Sequence, residues 1–192
     1  MSARLMLASR WMPRFLMTKE VENVRRSTNA TLDALLAAHS LEVPTDPVPS
    51  GGLEARRAAM AHGHEQRVQA LIAGLGRERA IVVGREALFA TGLALGQDAQ
   101  KRLKVGDGRA DLLNAAKVLY RVLGIEFTVT DDCLEVHRCA LAEHYSADAC
   151  RILSAVDEGV VSGLYPRAAM RFEKHLTDGC PRCVARIRLE ER

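Results

Sequence analysis

Apolar residues recur at helical spacing as far as Gly124, and beyond it the period drops to two. An amphipathic stretch over about 3–17 carries Leu5, Met6, Leu7, Trp11, Met12, Phe15, Leu16 and Met17, with Pro13 placed to kink or break it. Trp11, Phe15 and Leu16 call for burial against the rest of the chain or a partner copy. Val21, Val24, Leu32, Leu35, Leu36 and Leu41 predict a second helix over about 19–41. Pro44, Pro47, Pro49 and Gly51-Gly52 mark a linker over 43–52. Further helices are predicted over about 53–75, 78–103 and 109–123, with Gly124 as a C-cap residue. Arg57 interrupts the apolar face of the 53–75 helix and predicts a solvated first turn. Gly84, Gly92 and Gly96 weaken the 78–103 helix in isolation but let another backbone approach closely.

Ile125 to Thr130 alternates as a half-buried strand does, Asp131-Asp132 reads as a turn, and Cys133 to Arg138 as the return strand. A helix over about 147–163 follows, ended by Gly163 and Pro166. Ala168 to Leu176 and Cys183 to Leu189 complete the pattern around Thr177-Asp178-Gly179. The expected fold class is α+β: N-terminal helices packed with a small four-stranded, mostly antiparallel sheet that carries an inserted helix. The expected organisation is a helical arm over 1–45 and an α+β domain over 53–192.

The chain has 192 residues, 48% of them hydrophobic and 27% charged, enough to build a core of its own. A net charge of +3 and an aromatic content of 4% argue against a nucleic-acid partner. No apolar run reaches the ~18 residues of a membrane span. No signal-like segment is present, so the location expected is the cytoplasm. In that setting, the five cysteines favour thiols or metal ligands over a disulfide frame.

Four of them fall at element ends. Cys139 closes the second strand, Cys150 opens the following helix, and Cys180 and Cys183 form Cys-Pro-Arg-Cys before the last strand. Side-by-side hairpins would bring all four to one corner of the sheet, where thiolates suit an iron–sulfur cluster, preferably 4Fe-4S, or alternatively zinc. Reduced core cysteines and a redox pair at Cys180 and Cys183 are the other readings. Cys133, early in its strand, is expected in the core. Asp157 lies two turns after Cys150 on the same helix face, and His137 precedes Cys139; both are candidates for proton transfer or ligand support. His144 and Tyr145 also flank Cys139. His62 and His64 lack a third ligand nearby. Dinucleotide-binding, Walker and Gly-x-Ser-x-Gly motifs are absent from the sequence.

The stretch His137-Arg138-Cys139, Cys150 with Asp157 and Gly163, and Thr177 to Cys183 resembles the L-2-amino-thiazoline-4-carboxylic acid hydrolase-like family, related to vinyl-reductase-type ligand-binding domains. The resemblance covers about 80–190. It implies a small antiparallel sheet, a cysteine-rich end and a pocket between helices and sheet. Ala140 follows Cys139 where the family has proline, and Cys180 adds a thiol. Three functions follow as expectations. The first is a metal-binding protein holding its cluster through Cys139, Cys150, Cys180 and Cys183 in a redox, sensing or accessory role. The second is a hydrolase of a small cyclic thiazoline-like substrate. The third is a non-enzymatic domain that binds a small molecule and forms a homodimer through its helices.

Overall fold

The computed structural model describes residues 2–46, 50–106, 108–130 and 132–189. Pro47 and Pro49 of the linker, Asp131 of the predicted turn, and Asp107 lie outside the described residues.

Helix α1 (Ala3–Arg10) starts where the Ser2 hydroxyl accepts the Leu5 N–H at 3.1 Å. Pro13 separates it from α2 (Arg14–Ala38), as a residue with fixed φ and no N–H should at a helix start. After the linker come α3 (Leu53–Leu75), α4 (Arg77–Leu103) and α5 (Arg109–Leu123). Gly124 ends α5 at φ 72°, a conformation that favours glycine. Strands β1 (Ile125–Thr130) and β2 (Cys133–Cys139) form the first hairpin. Helix α6 (Ala147–Leu164) follows, its first turn capped by Ser146, and β3 (Ala168–Lys174) and β4 (Cys183–Leu189) form the second hairpin. The sheet order is β1-β2-β4-β3 with every pair antiparallel, and Val136 lies opposite Cys183. The fold is therefore α+β as the period change implies, with the hairpins joined side by side.

One face of the sheet supplies Leu134, Val136, Met170, Ala185 and Ile187 to a core completed by Val118 and Tyr120 of α5 and Val161 and Leu164 of α6. A second core, around Leu32, Val68, Leu88 and Ile152, joins α2, α3, α4 and α6. Residues Leu5, Val21, Leu32 and Leu36 of the first two helices are buried. Asp46, just after α2, accepts hydrogen bonds from Arg25 at 2.6 Å, Asn29 at 2.5 Å and Arg67 at 2.5 Å, tying the start of the linker to α2 and α3.

Helices α4 and α6 cross on glycine. A Cβ at Gly92 would collide with the Val156 carbonyl oxygen, and one at Gly96 with that of Val160. From the other side, Gly159 and Gly163 lie against the carbonyls of Phe89 and Leu93. Gly163 thus lies inside α6 as a packing residue and does not end the helix.

Three local expectations need correction. Arg57 is only 6% exposed: its guanidinium donates to the carbonyls of Val122 at 2.9 Å and Arg121 at 2.7 Å, satisfying acceptors left open at the end of α5. Trp11 and Phe15 are 65% and 70% exposed, so of their two expected placements they are not buried against their own chain, and Leu5 is the residue of α1 that is. Cys133 is only partly buried, on the β2 face opposite Leu134 and Val136. Among the described residues, no helix is long and apolar enough to cross a membrane.

Candidate functional site

The crossing of α4 and α6 fixes which face of α6 looks toward the sheet. Along that face, Cys150, Leu153, Ser154, Val156 and Asp157 line a cavity of about 90 Å³. Its other walls come from Val24 and Thr28 of α2, Met60 and His64 of α3, Tyr120 and Leu123 of α5, Ile125 of β1, Val136 and Cys139 of β2, Phe172 of β3, and Cys183 of β4. A second cavity of about 80 Å³ adjoins it. The two share Val24, Tyr120, Leu123, Val156 and Asp157, so these residues form a waist between them. The second cavity runs past Leu95, Leu119 and Val160 to Glu20 and Arg102, a partly exposed ion pair at 2.6 Å. Both linings are mainly apolar.

Three of the four predicted thiols meet here. Cys139, Cys150 and Cys183 line the first cavity; Cys180 sits outside it, in the turn before β4. All five cysteines are free. Burial is the main cause that pushes the Cys139 thiol up to about 11 and Cys150 to about 12, and it raises Cys183 as well. In the metal-free protein these groups are neutral thiols at physiological pH. Among the described residues, no group of three or more His, Cys, Asp or Glu side chains is arranged to hold a metal ion.

The two predicted proton-transfer candidates are not brought into one site. His137 is exposed on β2, with Nε2 2.8 Å from the Thr128 hydroxyl. Asp157 faces the cavity waist. Burial, and secondarily the charge of Glu158, push its carboxyl up to about 7. Glu158 itself is satisfied: it accepts from Arg85 at 2.6 Å and from the Phe172 N–H at 3.1 Å. No hydrogen bond or ion pair reaches Asp157 among the described residues. His64 has Nδ1 2.9 Å from the Tyr145 hydroxyl. Burial, helped by the charge of Arg67, drives it down to about 3 and keeps it neutral. His175 is likewise lowered by burial, against the opposing charge of the Asp178 carboxylate 3.4 Å from its Nδ1.

Tyr120 was not singled out from the sequence. Its place on the buried face of α5, among Leu112, Val118 and Leu119, was the available signal.

No family model matches this chain, and no curated protein matches it. Among solved structures, it is similar to a trafficking protein particle complex subunit 3 from Naegleria fowleri, a structure covalently bound to palmitic acid. The TM-score is 0.56 at 15% identity, covering 70% of this chain and 95% of that chain. At that identity the likeness is one of fold. The fold neighbour is a subunit of a trafficking complex. Taken with the lack of a metal-holding group among the described residues, this overturns the expectation of an iron–sulfur or zinc protein built on Cys139, Cys150, Cys180 and Cys183. The thiazoline hydrolase resemblance finds no family match, and the hydrolase reading loses its support with it.

Proposed function

We propose that this chain is a binding module for a slender apolar ligand, an alkyl or acyl chain, held between the helices and the sheet. The observation that carries this reading is the pair of adjoining apolar cavities, lined by five helices and all four strands and sharing five residues. A globular core ordinarily fills such space, because each void forfeits dispersion contacts. Small cavities joined by shared residues suit a linear chain better than a compact ring. The fold neighbour's bound palmitic acid agrees with a chain of this type, and the neutral state of Cys139 and Cys150 favours reversible over covalent capture.

The module acts as one component of a cytoplasmic protein assembly, where five free thiols stay reduced. Its helices contact a second copy, and Val82 and Phe89, 65% and 37% exposed two turns apart on α4, supply the apolar contact. Replacing both by Glu should convert a dimer to a monomer in light scattering; an unchanged mass would remove these two residues from the interface.

The direct test is Val156→Phe, which places bulk at the waist shared by both cavities. The variant is expected to fold and to lose about tenfold or more in affinity for alkyl ligands, the effect of a displaced contact worth about 1.4 kcal/mol. Binding that is undiminished would place the ligand elsewhere.

A further inference from the structure

The waist between the two cavities holds a feature that an alkyl chain alone does not explain. Asp157 lines both cavities, and no hydrogen bond or ion pair reaches its carboxyl among the described residues. Tyr120, whose ring packs edge-on to Phe127 at 5.0 Å, lines the same waist, and no hydrogen bond to its hydroxyl is found among the described residues. Polar groups inside a protein are ordinarily paired; Thr28 Oγ1, His64 Nε2 and His175 Nε2 are also open in the first cavity, but Asp157 and Tyr120 are the unpartnered groups that line both, and they mark where a ligand's polar atom belongs.

The charges around this point decide the sign of that atom. Glu158, next along α6, is an acid engaged by Arg85. Cys139, Cys150, Cys183 and Tyr145 bring only neutral or potentially negative groups to the first cavity. His64 and His175 are held neutral by burial. Arg102 is the cation lining the second cavity, and it is taken up by Glu20 and Asp98. Nothing that lines either cavity offers a free positive charge to an anion, whereas Asp157 offers a carboxylate to a cation.

We propose that the waist is a headgroup site for an alkylamine, with the ammonium nitrogen donating to the Asp157 carboxylate and the Tyr120 hydroxyl while the alkyl chain fills the cavities. This deepens the binding function proposed above and rests on it. The same arrangement disfavours the anion of a free fatty acid, whose carboxylate would face Asp157 with no cation between them. The upward shift of the Asp157 carboxyl agrees, since an uncompensated carboxylate there is costly until a cation arrives.

The experiment titrates the full chain with octylamine, octanol and octanoate at pH 8 by calorimetry, for the native protein and for Asp157→Asn and Asp157→Leu. Octylamine should bind about tenfold or more tightly than octanoate, the gain expected of a charge-assisted hydrogen bond. Both variants should lose that preference while still binding octanol, which also shows that they fold. Equal binding of all three ligands by the native protein, or an amine preference that survives in Asp157→Asn, would overturn the headgroup site and leave the apolar-ligand reading standing. Failure of all three to bind would overturn both.

Discussion

At the scale of single residues, Asp157 is the group whose behaviour separates a ligand cavity from an ordinary core. A carboxyl raised from 3.8 to about 7 stays protonated in the folded chain while the unfolded chain ionises. The folded state then binds more protons, so this group makes stability fall as pH rises from about 4 to about 7 and level off above. His64, lowered from 6.5 to about 3, acts in the opposite direction: its unfolded form takes up the proton first, and stability rises with pH across that range. The difference between native and Asp157→Asn unfolding curves isolates the first effect. The variant should gain on the native chain as pH rises from 4 to 7. A pH-independent difference would show that Asp157 is solvated. Cys139 and Cys150, raised to about 11 and 12, should react with iodoacetamide far more slowly in the folded protein than after unfolding, as mass spectrometry of the alkylated chain would show.

Among the elements, the site depends on how closely α4 and α6 approach. Gly92→Ala and Gly159→Ala each set a methyl against backbone that cannot turn aside, at a cost of about 3 kcal/mol or more. Gly84→Ala meets the Ile152 side chain at 2.9 Å, which can shift, so its cost should be smaller. Urea denaturation would rank the three, and a Gly92→Ala as mild as Gly84→Ala would contradict the close crossing. Much of this level was legible in the chain. The spacing of Leu112, Val118 and Val122 and the Gly124 cap defined α5, and alternation after Gly124 defined the strands. The small residues of α4 signalled a close neighbour. They did not name α6 as that neighbour, because Gly159 and Gly163 carry no pattern until the two helices are placed together. Arg57 misled for a related reason: its acceptors, the last carbonyls of α5, lie more than sixty positions away.

In the whole molecule, the candidate site was legible only in part. Side-by-side hairpins do bring Cys139 and Cys183 to one end of the sheet, and Cys150 joins them from α6. The step from shared cavity to shared metal failed because Cys180 stays outside the cavity and no group of three or more His, Cys, Asp or Glu side chains is arranged to hold a metal among the described residues. The walls around these thiols, among them Val136, Leu141 and Leu153, are apolar and hold them neutral. Spacing does not reveal empty space: the cavity walls come from α2, α3, α5, α6 and all four strands, and only packing shows what they leave unfilled.

The measurement that bears most directly on ligand-holding cavities is a calorimetric titration of the full chain with an alkyl series that differs only in length. If each added methylene is buried in the cavities, it contributes about 0.8 kcal/mol, so affinity should rise about fourfold per methylene until the space is full. The slope should collapse in Val156→Phe. An affinity that does not change with chain length, or the same slope in the native and Val156→Phe proteins, would contradict a ligand held between the helices and the sheet.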